Sequence, residues 1–182
     1  MKKTTSLIFA CALLMICVTA AGAVRQDGEL RKEMEDVRDS VQAAAAAEAV
    51  RNMSFVLEAE RLVLVSGESV VVSSVTNFVS VSDDRAVIQV APLRGPGVNG
   101  VGGITVDGTV SGVRFDTDRR GNTILYFNVS GAAASCRITL TLPKDGVDGR
   151  MRIDPNFSSD DITLVGTVVP EELSTVHQGR TL

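Results

Sequence analysis

The sequence predicts a mainly β protein, an antiparallel barrel-like meander or sandwich of about nine or ten strands, preceded by one amphipathic helix. Three observations predict it. After Asn52, apolar residues recur at every second position over most of the remaining chain. Glycine- and aspartate-rich turn sequences punctuate these runs. No helical stretch lies between them to carry a parallel crossover, so hairpin connections and a barrel or sandwich closure are expected.

The first 23 residues read as a secretory leader. Lys2 and Lys3 are followed by the apolar run Leu7 to Val18, too short for a membrane anchor, and then by Ala21-Gly22-Ala23. Small side chains at Ala21 and Ala23 suit a signal peptidase, which places Val24 at the mature N-terminus. Lipid anchoring on Cys11 or Cys17 is less favoured. Cys17 follows the bulky Ile16, and Cys11 has little apolar sequence before it. The expected location is therefore the periplasm or cell envelope, with no transmembrane segment in the mature chain.

Residues 24–52 form a helical lead-in. Leu30, Met34, Val37 and Val41 recur at spacings of four, three and four among charged residues, and Ala43 to Ala47 extend the helix towards a stop at Asn52. The stripe is one residue wide, so the helix is expected to lie on the domain or to self-associate, outside a core that begins at Phe55.

Residues 53–182 form the β domain. Alternation is clearest at Phe55 to Glu60, Ile104 to Val110, Val113 to Thr117, Arg137 to Leu142 and Arg150 to Ile153. Further strands are expected at Ser69 to Val75, Phe78 to Val81, Ala86 to Ala91, Thr123 to Val129 and Ile162 to Val169. The phrases Ile104 to Val110 and Ile162 to Val168 nearly repeat, either through duplication or because both are strands bent at a glycine. Pro170, Glu171 and Glu172 open a short C-terminal helical tail that His177 and Gly179 would end.

Several phrases together resemble one family: Asn52 to Glu60, Thr76 to Val81, Gly95 to Val106, Pro155-Asn-Phe, Ile162 to Pro170 and Gly179 to Leu182. It is the domain-of-unknown-function 4251 family of exported Bacteroides-type proteins. The resemblance runs from about Ala49 to Leu182 and keeps the order of the phrases. It implies export and a shared β-rich fold, and it implies no activity.

The residues that carry chemistry point away from catalysis. Gly95, Gly97 and Gly100, with Asn99 between them, match a phosphate-loop pattern, but Gly102, Gly103 and a strand follow where a helix is needed. These six residues are the candidate functional loop, an interstrand segment at a barrel mouth. Asp116 to Phe127 begins like a calcium loop, yet Arg120 and Phe127 stand where oxygen ligands belong, so a hairpin turn is favoured. Asp83/Asp84 and Asp160/Asp161 are read as turn residues, since adjacent carboxylates point apart. His177 is the only histidine, and no zinc or serine-triad motif accompanies it. Cys136 is the one cysteine outside the leader. It falls on the apolar face of a strand and is expected to be a buried thiol, with a Cys136–His177 pair the remote alternative.

No catalytic, metal or cofactor-binding residue is therefore assigned. The full chain is acidic, with net charge −4, and the leader's only charged side chains are basic, which argues against nucleic acid as a partner. With no Trp and one Tyr, stacking on sugars is demoted. The leading expectation is a non-enzymatic envelope binding module, holding a small apolar ligand in a barrel or a protein partner on its rim. A module assembling through the N-terminal helix comes second, and a hydrolase third.

Overall fold

The computed structural model describes residues 29–91, 104–132, 134–156 and 161–176. Contacts divide the chain into two units, Met1–Ser40 and Val41–Leu182. A helix, α1, is continuous over residues 29–51. Leu30, Met34, Val37 and Val41 are all exposed on it. The chain leaves α1 through Asn52 and Met53, and Met53, with φ of 55°, takes the left-handed exit expected nearer Asn52.

Nine strands follow: β1 (Ser54–Val63), β2 (Ser69–Val71), β3 (Phe78–Ser82), β4 (Arg85–Val90), β5 (Ile104–Thr117), β6 (Thr123–Gly131), β7 (Ser135–Leu142), β8 (Asp148–Pro155) and β9 (Ile162–Pro170). From β3 to β9 each strand pairs antiparallel with the next. β1 pairs with β3 on one edge and with β9 on the other, from Phe55 opposite Pro170 to Val63 opposite Thr163. That last ladder decides for a barrel over a sandwich: eight strands close on themselves, with β2 as an extra strand beside the far half of β1. The two runs expected at Ile104 to Val110 and Val113 to Thr117 are one strand, β5, with a register shift between Ser111 and Arg114.

The near-repeat falls on β5 and β9, and its glycines explain it. A Cβ on Gly166 would lie 2.0 Å from the carbonyl oxygen of Glu58, and one on Gly108 would lie 2.5 Å from the backbone of Ser130. Both positions let a neighbouring strand's backbone approach too closely for any side chain, and β1 is irregular between Ala59 and Arg61 where Gly166 faces it.

Inward residues of every barrel strand fill the interior. Phe55, Leu57, Ile88, Leu125, Phe127, Ile138, Leu140, Met151 and Leu164 are fully buried and belong to one continuous cluster. Ala46, Ala49 and Val50 belong to the same cluster. The second half of α1 therefore packs into the core, contrary to the expectation drawn from its large apolar residues. The physical reason is size: alanines let a helix axis come close to the end of the barrel where β1 starts.

A smaller cluster lies outside the wall, where Val56 and Phe78 are covered by Val176. The expected C-terminal helix is a single 3-10 turn, Glu171–Leu173. Two hydrogen bonds fasten this segment: Ser174 Oγ donates to Glu58 Oε1 at 2.7 Å, and Ser54 Oγ donates to Glu171 Oε2 at 3.1 Å.

Candidate functional site

β5 outruns its neighbour on one side. Its ladder with β4 ends at Thr109 opposite Arg85, whereas its ladder with β6 continues to Thr117 opposite Thr123. From Ser111 to Thr117 that edge of β5 faces no strand among the described residues. Val113 and Phe115 sit on this projecting piece and are 43% and 42% exposed, unlike the inward residues of the closed wall. On the outer face the Arg114 guanidinium stacks 4.4 Å from the centre of the Tyr126 ring.

The bulge that starts the projection also shapes a polar groove. Gly112 has φ of 64°, and a Cβ there would come within 2.8 Å of Asn128 Nδ2. Strand register then sets Ser111 beside Asn128, Asn128 beside Arg137, and Arg137 beside Asp154. With Ser130, Ser135, Cys136 and Asn156 this row lines a cavity of about 410 Å³. Arg137 and Asp154 approach to 3.5 Å, and the Asn156 side-chain oxygen accepts the Ser135 N–H at 3.1 Å. The β5 edge, uncovered among the described residues, thus carries two half-exposed apolar side chains at alternate positions. A second cavity, about 310 Å³, lies between Glu48 and Asn52 at the end of α1 and Ser54, Pro170, Glu171 and Glu172.

The residues singled out from sequence fall elsewhere. The loop carrying Gly95, Gly97, Asn99, Gly100, Gly102 and Gly103 lies outside the described residues, although its anchors Val90 and Ile104 face each other across β4 and β5. Ala21, Ala23, His177 and Asp160 are also outside them. Asp118 caps its turn, its carboxylate accepting from the N–H groups of Asn122 and Arg120 at 2.9 and 2.8 Å. Those bonds, the Asn122 one foremost, hold its carboxyl below the ordinary carboxylate range. Asp83 and Asp84 form the two-residue turn between paired Ser82 and Arg85, and Asp161 pairs with Arg152. Cys136 is buried, and burial, aided by the negative charge of Asp154, pushes its thiol pKa up. Among the described residues, no His, Cys, Asp and Glu side chains are grouped to hold a metal ion, and no helix is long and apolar enough to cross a membrane.

The projecting rim is the part that sequence reasoning missed. Val113 and Phe115 alternate like any inward pair, and nothing in that alternation says that β4 stops short of them.

The model of a domain-of-unknown-function family, DUF4251, matches residues 37–168. The chain belongs to the DUF4251 family. The resemblance carried by the sequence phrases is thereby borne out. The crystal structure at 1.95 Å resolution of a DUF4251 family protein from Bacteroides eggerthii DSM 20697 is similar to this DUF4251 chain, with 39% identity and a TM-score of 0.71. The match covers 81% of this chain and 99% of that one. No curated protein matches this DUF4251 chain.

Proposed function

We propose that this protein is an exported, non-enzymatic binding module of the periplasm or cell envelope that engages a protein partner at its barrel rim, through the projecting edge of β5. The observation that carries the reading is the contrast between a filled interior and an incomplete wall. The inward side chains and the end of α1 make one buried cluster, while Val113 and Phe115 stay half exposed beside an edge that faces no described strand. Such an edge supplies main-chain hydrogen bonds to an added strand, and the alternate apolar positions supply its pockets. A filled interior gives less support to a small apolar ligand inside the barrel. Binding is favoured over hydrolysis because Cys136 is buried with a raised pKa and Asp118 is engaged in its turn. The export part rests on the leader, Lys2 through Ala23.

A photo-crosslinking residue placed at Phe115 in the exported protein, in its own cells, tests this. The reading expects one discrete protein adduct at position 115, none at exposed Glu68, and loss of the adduct when Val113→Asp is added. Equal labelling at both positions, or no adduct at 115, contradicts it. A second reading, assembly through α1, is favoured by the exposure of Leu30, Met34 and Val37.

A further inference from the structure

The stripe on α1 identifies its own partner. Leu30, Met34, Val37 and Val41 follow the four-three-four spacing of alternating d and a positions in a heptad, and each is more than half exposed. At about 100° per residue, Val41 projects from the side of the helix opposite to Ala46 and Val50, which face the barrel core. Docking those residues therefore leaves the side carrying Val41 uncovered.

Charges beside the stripe choose the orientation of a second helix. On the heptad numbering Glu33 is a g residue, Arg38 the next e residue and Arg31 the previous e residue. In a parallel pair, g of one helix faces the following e of the other, so Glu33 meets Arg38 of the second copy, twice by symmetry. In an antiparallel pair e faces e, and arginines meet arginines. Among the described residues Arg38 meets Asp39 at 3.6 Å, and both side chains are exposed, so releasing it costs little. Leu30 at a d position and Val41 at an a position are residue types that parallel two-stranded coils favour. Because α1 is already helical and held at its barrel end, association need not supply the nucleation cost of a short helix.

We infer that a second copy of this chain pairs in parallel with α1 across Leu30, Met34, Val37 and Val41, its register set by Glu33 against Arg38. This rests on the assembly reading and commits it to a partner, an orientation and a register. The test is sedimentation equilibrium of the chain beginning at Val24, at physiological salt. A reversible dimer is expected. Glu33→Arg and Arg38→Glu should each weaken it about tenfold, and the double exchange should restore it to within about threefold. Met34→Lys should abolish it while leaving the thermal midpoint of the barrel unchanged. Under mild oxidation in a Cys136→Ala background, Leu30→Cys and Val41→Cys should each cross-link to their own copies. A monomer at all concentrations, whether or not it floats with phosphatidylethanolamine–phosphatidylglycerol vesicles, overturns the inference and the assembly reading together. A dimer that ignores the charge exchange, or cross-links only between positions 30 and 41, overturns the parallel pairing and leaves the assembly reading standing.

Discussion

Cys136 lies on β7 between Val129 of β6 and Pro155 of β8, its register partners, with its side chain among the interior cluster. A thiol with a raised pKa keeps its proton at pH values where the unfolded chain's thiol ionises. Its contribution to stability is therefore fully present below the ordinary thiol range and is lost as pH rises from that range through the raised folded value. Labelling of the folded protein by a thiol reagent at neutral pH should be slow and limited by opening of the structure, and Cys136→Ala should cost about 1–2 kcal/mol in chemical denaturation. Labelling as fast as for the unfolded chain would contradict this placement. The inward face of Cys136 was legible in the sequence, because it stands two residues before Ile138 in a clean alternation. Its neighbour Arg137 illustrates what was not. Alternation shows that Arg137 points outward, but only the register of three ladders shows that Ser111, Asn128 and Asp154 stand in line with it.

At the scale of the element, α1 was legible as a helix but not as part of the core. Its eye-catching residues Leu30, Met34, Val37 and Val41 are exposed, and the face that docks is built from Ala46, Ala49 and Val50. A run of alanines reads as helix propensity, and the same small side chains permit close packing that a single-sequence pattern leaves silent. The consequence is an asymmetry along one helix. Val50→Ala should destabilise the protein by about 2 kcal/mol, and Val41→Ala should leave the unfolding transition of the monomer within about 0.5 kcal/mol of wild type. Guanidinium titrations of the two variants at low protein concentration measure the difference. Equal effects would place the core boundary elsewhere. The β5 strand teaches the same lesson in reverse. Its alternation through Val113 and Phe115 matches a buried wall, and the shortness of β4 is what leaves them at the rim.

For the molecule as a whole, closure follows from the pattern more directly than function does. Runs of period 2 with no helical crossover among the described residues allow an up-and-down ring of eight strands, and glycines at 108 and 166 permit the tight strand approaches on which the ring bends. Eight strands enclose a space that side chains alone can fill. Here Phe55, Phe127, Leu140 and Met151 fill it together with the alanine face of α1. On the reading proposed above, a barrel packed in this way recognises its partner on the outside, at the rim that β5 extends. Native mass spectrometry of the protein purified without detergent from its own envelope tests that account most directly. The predicted spectrum shows the bare polypeptide beginning at Val24, alone or with protein, and no stoichiometric small molecule surviving in the monomer. A monomer retaining one equivalent of an apolar molecule after gentle activation would mean that the interior holds a ligand, and would contradict the account.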